Sequence, residues 1–96
     1  MEPEFEWDPD KGEENAKKHG VSFDEAKTVL FDPLRSMVAD VEHSNSEARW
    51  VTVGQSSASR LLRVVYADRI VAGRLRVRII SARGLARRER DAYEDS

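Results

Sequence analysis

Arg83, Arg87, Arg88 and Arg90 fall within eight residues near the end of the chain. A guanidinium presents a planar fork of donors, grips phosphate oxygens in pairs and stays charged at any working pH. This density of arginine therefore predicts a polyanionic ligand. An apolar strand, Val77 to Ala82, is expected to run directly into a helix that opens at about Arg83, which would put Arg83, Arg87 and Arg90 on one helical face. His19 and His43 are the two histidines, a residue type that can exchange a proton in either direction. They lie far apart, cysteine is absent, and no cluster of Asp and Glu stands at the strand ends. No metal-ligand set follows from such a pattern. Gly54 and Gly73 stand alone in turns, so there is no glycine-rich phosphate loop, and no cofactor is expected.

The net charge of −2 conceals a strong polarity. Residues 1–48 carry five basic side chains against thirteen acidic ones, whereas residues 49–96 carry eleven, all arginine, against five. Asymmetry of this kind between halves points to nucleic-acid contact. The acidic half is either a solubilising face or a shield for the basic one. At 96 residues the chain is expected to form one domain, spanning 1–96, that buries only about 60–65% of its unfolded surface, so a partner would stabilise it noticeably. The apolar runs are too short to span a membrane and the acidic start is unlike a signal peptide, which predicts a soluble, cytoplasmic protein without membrane association.

The elements that must position these side chains follow from local signals. Phe5-Glu6-Trp7 reads as a short strand. Asp8 caps a helix with Pro9 at its first position, and Gly20 stops that helix after Lys17, Lys18 and His19. Ser22 with Glu25 forms a capping box for a second helix, whose apolar stripe is Phe23, Ala26, Val29 and Leu30, ended by Asp32-Pro33. The period then switches to two. Met37 to Glu42 reads as a strand, Ser44-Asn45-Ser46 as a turn and Arg49 to Val53 as the antiparallel return. Leu61 to Arg69 and Arg74 to Ala82 form a hairpin around Gly73, with Arg74, Arg76 and Arg78 on one face. The expected class is α+β: two N-terminal helices on a sheet of about four antiparallel strands, with a basic C-terminal helix.

Several landmarks then fall in order. Phe5-Glu6-Trp7-Asp8-Pro9, Asn15 with Lys18-His19-Gly20-Val21-Ser22-Phe23, and Phe31-Asp32-Pro33 resemble the opening of the BrnT toxin family. His43-Ser44 followed by Glu47 and Arg49, then Val53-Gly54, Val64-Val65-Tyr66, Ile79-Ile80-Ser81-Ala82-Arg83 and Arg87-Arg88-Glu89-Arg90 with Tyr93-Glu94 continue it. The resemblance spans nearly the whole chain. It implies a toxin of a type II toxin–antitoxin system with a RelE-like fold and an endoribonuclease activity that halts translation. It also implies neutralisation by a BrnA-like antitoxin, the component that contacts operator DNA. The family pattern has two adjacent acidic residues ahead of the arginine, and the second position here is Ala48. Arg63 is a second departure, at a place where the family more often has an apolar residue.

RNA can be cut without metal when its 2′-hydroxyl attacks the adjacent phosphate. The reaction needs a base, donors for the charge on the pentavalent phosphorus and a proton for the departing oxygen. Arg49, Arg69 and Arg83 are the candidate phosphate clamps, because an arginine cannot serve as base. His43 and Glu47 are the candidate base and acid, with His19 and Tyr66 behind them. Lys18, His19, Arg87, Arg88 and Arg90 are the expected RNA-backbone contacts. The competing use of each arginine is an ion pair within the protein. Ala48 keeps a second reading open, a catalytically silent module that docks the antitoxin and acts as co-repressor.

Overall fold

A computed structural model describes residues 3–43 and 47–95; the expected turn at Ser44-Asn45-Ser46 lies outside them. The described elements are β1 (Glu4–Glu6), α1 (Pro9–His19), α2 (Phe23–Thr28), β2 (Ser36–Ala39), β3 (Ala48–Gln55), β4 (Leu61–Val71), β5 (Arg74–Gly84) and α3 (Arg87–Glu94). Short 3₁₀ turns follow α2 at Val29–Phe31 and β2 at Val41–His43. The strands form one five-stranded sheet in the order β1-β5-β4-β3-β2. All pairs are antiparallel except β1 with β5, which run parallel.

The α+β class and the helix order match the expectation, and three details differ. The sheet is mixed and five-stranded, because the Phe5 segment joins it beside Val77. β2 ends at Ala39, where the chain tightens into the 3₁₀ turn that carries His43. The last strand continues through Arg83 to Gly84, and α3 begins only at Arg87, so Arg83 is a strand residue.

Both caps of α1 form as expected. Asp8 accepts from the Asp10 amide at 2.9 Å, and Gly20 takes the left-handed conformation at φ 69°. Ser22 caps α2 through the Glu25 amide at 3.1 Å, but the Glu25 carboxylate does not close a box. It reaches instead to Arg60 and Ser56, which ties α2 to the β3–β4 turn. Ala72 and Gly73, at φ 52° and 78°, give the β4–β5 hairpin the left-handed pair that matches strand twist.

α1 and α2 lie on one face of the sheet, where Val21, Phe23, Ala26 and Val29 pack against Leu62, Val64, Tyr66, Val77, Ile79 and Ala82. The opposite face carries the arginines. A bulge in β5 decides which arginines those are. Tyr66 faces Ile79, whereas the preceding Val65 faces Ser81, so Ile80 is an extra residue and the alternation changes phase. Arg76 and Arg78 before the bulge and Arg83 after it consequently share one face. Val77 and Ile79 before it, and Ala82 after it, share the other.

β1 covers the outer edge of β5 only along Arg76–Arg78. Further down, Asn15 of α1 takes the place of a neighbouring strand. Its Nδ2 donates to the carbonyls of Val21 and Ala82 at 2.9 and 2.8 Å, and its Oδ1 accepts from the Ala82 amide at 3.1 Å. The residue is buried, so these bonds have no replacement in water. Asn15→Ala would strand the Ala82 amide and two carbonyls, and a loss of about 3 kcal/mol is expected in urea unfolding. A loss below about 1 kcal/mol would show that this edge is held by other contacts.

Candidate active site

The upper end of the arginine face, beside the β4–β5 hairpin, gathers side chains from four strands. Cross-strand pairing sets Arg49, Ala67 and Arg78 in one row, and Arg69 and Arg76 in the next. Carboxylates alternate with the guanidiniums. Glu47 pairs with Arg78 and lies 3.8 Å from Arg69, which is 3.7 Å from Glu6. Glu6 lies 3.8 Å from Arg76, and Glu4 lies 3.8 Å from Arg76 and 2.9 Å from Arg74. Most of these pairs are long and lie at the surface, where water competes with them. A phosphate entering the row can replace a carboxylate at little cost. Ala67, between Arg49 and Arg78 in this row, is only 2% exposed although it faces away from α1 and α2.

His43 stands beside this row in its 3₁₀ turn. Its Nδ1 lies 2.9 and 3.1 Å from the two carboxylate oxygens of Asp40, three residues earlier. Asp40 is itself fixed, since its amide donates to the Arg49 carbonyl at 2.7 Å and its carboxylate lies 3.5 Å from Arg49 Nε. The hydrogen bond from His43 holds the Asp40 carboxyl below the usual carboxylate range against the opposing effect of desolvation, helped by the charges of His43 and Arg49. An ionised Asp40 accepts from an Nδ1–H and so favours the ring orientation that carries a proton there. The side chain is 61% exposed and open to a large substrate. Sequence reading passed over Asp40 and Arg78. The signals were the three-residue spacing to His43 and the period-two run Arg74, Arg76, Arg78.

His43, Glu47, Arg49 and Arg69 therefore come together at this end, and Arg83, the third of the candidate phosphate clamps, does not join them. Arg83 lies five residues beyond Arg78 on β5, about 16 Å at strand rise. There it forms a two-point pair with Glu89 of α3 at 2.7 and 2.9 Å, and Arg63 lies 3.9 Å from the same carboxylate. Glu89 also accepts from the Ala86 amide at 2.9 Å, which caps α3 in place of the side chain that Ala86 lacks. Tyr93 Oη of α3 donates to the Leu34 carbonyl at 3.2 Å. The rest of the expected RNA-contact set also sits at this lower end. His19 and Arg90 line one cleft, Lys18 and His19 an adjoining one beside Ile80 and Ser81, and Arg87 and Arg88 are exposed on α3. Among the described residues, no group of three or more His, Asp or Glu is placed to share a metal ion.

A family profile described as a ribonuclease toxin, BrnT, of type II toxin-antitoxin system matches residues 7–89. The chain belongs to the BrnT ribonuclease-toxin family. No curated protein sequence matches it. Among solved structures, that of the Brucella abortus ribonuclease toxin BrnT aligns with a TM-score of 0.63 at 18% identity, covering 90% of this chain and 100% of that one. At that identity the likeness concerns the fold. The BrnT departure at Ala48 also acquires a geometry. Ala48 pairs with Asp68, whose carboxylate accepts from Trp50 Nε1 at 3.1 Å, so position 48 points to the helix side, away from Arg49.

The grip on Glu89 gives α3 a pH signature. The hydrogen bonds from Arg83, and then from the Ala86 amide, lower its pKa from 4.5 to about 2. A depressed carboxylate contributes stability above its unfolded pKa and loses it as pH falls through the folded one. The stability difference between wild type and Glu89→Gln is therefore expected to be constant above pH 4.5 and to shrink from there towards about pH 2. Urea unfolding across that range checks it; a difference unaffected by pH would mean that the pair does not hold the helix.

Proposed function

We propose that this BrnT-family chain is a metal-independent endoribonuclease whose reactive centre is the upper end of the arginine face, with His43 as general base. The observation that carries the reading is the Asp40–His43 pair standing against Arg49, beside the row of Arg69, Arg78 and Glu47. His43 Nε2 takes the proton from a ribose 2′-hydroxyl. The O2′–P bond forms and the P–O5′ bond breaks. The 5′ oxygen collects a proton from water, leaving a 2′,3′-cyclic phosphate and a 5′-hydroxyl. Arg49, Arg69 and Arg78 neutralise the charge that builds on the phosphorane. Each guanidinium has five N–H donors, so an existing carboxylate partner leaves donors for phosphate. Glu47, which accepts from Arg78 and lies 3.8 Å from Arg69, positions them. This chemistry calls on no Lewis acid, because His43 moves the proton and the arginines carry the charge.

The same proposal assigns the lower end, with Lys18, His19, Arg87, Arg88 and Arg90, to the RNA backbone. A cytoplasmic BrnA-like antitoxin would silence the toxin by occupying the arginine face, and DNA would be met only through that antitoxin. Translation stops because RNA is cut. Family membership and the convergence of His43 with three arginines favour this over a silent docking module.

Purified chain freed of antitoxin is expected to cleave RNA in the presence of EDTA. His43→Ala should lower the cleavage rate about 100-fold or more, with RNA affinity changed by no more than about threefold. A His43→Ala protein that cuts as fast as wild type removes His43 from the chemistry. Ala48→Glu places a carboxylate across from Asp68 on the helix side. It is expected to cost about 0.5–1 kcal/mol of stability through like-charge opposition and to leave cleavage within about threefold. If instead native chain is inert and Ala48→Glu cuts RNA, the silent module is the correct reading.

A further inference from the structure

We infer that the cleft between the end of α1 and the lower ends of β4 and β5 holds one nucleobase of the RNA substrate together with its phosphate, and so sets sequence preference. This rests on the ribonuclease reading above. The cleft has a volume of about 440 Å³, within the range of small-ligand sites. Its floor is apolar, built from Val21 and Leu62, each 1% exposed, with Leu85 along one wall. Gln55 and Ser59 stand on the β3–β4 side, and His19 and Arg90 flank the opening.

These parts match the parts of a nucleotide. A base has flat apolar faces for the floor, and a polar edge that the Gln55 amide and Ser59 hydroxyl can address as donor and acceptor. Ser59 is held at φ 60°, a conformation that non-glycine residues seldom adopt and that concentrates at functional sites. The phosphate matches the cations. Arg49, Arg60, Arg63, Arg69, Arg74, Arg76, Arg78 and Arg83 each lie within 4.0 Å of a carboxylate. Among the described residues, Lys11, Lys18, His19, Arg35, Arg87, Arg88 and Arg90 have no such partner, and two of these seven, His19 and Arg90, line this cleft. An acidic protein segment would answer the cations but make no use of the apolar floor.

Gln55 lies six residues along β3 from Arg49, about 20 Å at strand rise, so the base bound here is several nucleotides from the bond that breaks.

The test is binding to the full ¹⁵N-labelled chain, with the four nucleoside 3′-monophosphates as probes. Amide shifts are expected at Gln55, Ser59 and Leu85, with affinities that differ at least threefold among the bases. Gly84→Phe fills the cleft. Position 84 faces Leu62 across the hairpin, its backbone lies outside the left-handed region, and an added Cβ meets no atom within 4 Å. Binding should weaken at least tenfold. Arg90→Ala combined with His19→Gln should weaken all four probes about tenfold while preserving their ranking, and it decides the matter should Gly84→Phe fail to fold. Shifts confined to the Arg49–Arg78 end, or a folded Gly84→Phe protein that binds like wild type, overturn the inference and leave the cations to an acidic partner. Because the readout is binding, a chain that binds in the cleft and cuts nothing would sink only the catalytic reading. A chain that cuts RNA with no shifts in the cleft would sink only this one.

Discussion

The extra residue in β5 governs how the charge of this protein is displayed. A strand presents alternate residues to opposite faces, and Arg78 and Arg83, five apart, would fall on different faces of a regular one. Ile80 absorbs one step, so both arginines emerge on the side away from α1 and α2. The same shift turns Ala82 inward, where its backbone meets the Asn15 amide. The bulge and Asn15 thus solve two problems at one point. The core stays apolar across the whole length of β5, and the strand edge that β1 leaves bare is satisfied by a side chain acting as a short strand. The cleft at the lower end and the attachment of α3 are both built on the segment that this arrangement fixes.

On the arginine face, charge is arranged in two ways. At the upper end guanidiniums and carboxylates alternate in loose pairs, a surface that is nearly neutral yet rich in donors. Such a row suits a dianionic transition state: the arginines are already held in place, and exposed pairs at 3.7 to 3.8 Å exchange partners easily. At the lower end one carboxylate, Glu89, holds Arg83 tightly through two short, directed hydrogen bonds, with Arg63 3.9 Å away. That pairing is structural. It anchors a helix with no buried residue of its own and leaves Arg87, Arg88 and Arg90 turned outward.

The acidic half of the chain takes on a specific role in this arrangement. Glu4 and Glu6 on β1 and Glu47 ahead of β3 are the carboxylates interleaved with arginines from the basic half. Asp40 orients His43. The charge polarity along the sequence is therefore largely cancelled across the sheet, and the basic surface that remains is a smaller one, on α3 and the end of α1. A polyanion meets exposed cations there and paired ones at the proposed reactive end.

What local physics controls could be read from the order of residues alone. Asp8, Pro9, Gly20 and Ser22 fix the helix ends through hydrogen bonds within four residues, the period of two marks the strands, and the ordered landmarks carry the BrnT family. His43, Glu47, Arg49 and Arg69 could each be singled out by residue type, but the fold decided that they meet while Arg83 stands apart. Tertiary structure decided the rest. Parallel addition of β1 depends on an edge that no local pattern announces. The end of β5 at Gly84 and the start of α3 at Arg87 depend on the bulge and on Glu89 reaching back to Arg83, contacts that override a helical spacing of arginines. Asp40 gained its role when β2 ended early and the chain turned. An ionisable group's function is set by what stands within a few ångströms of it, and for most of these arginines that neighbour comes from the other half of the chain.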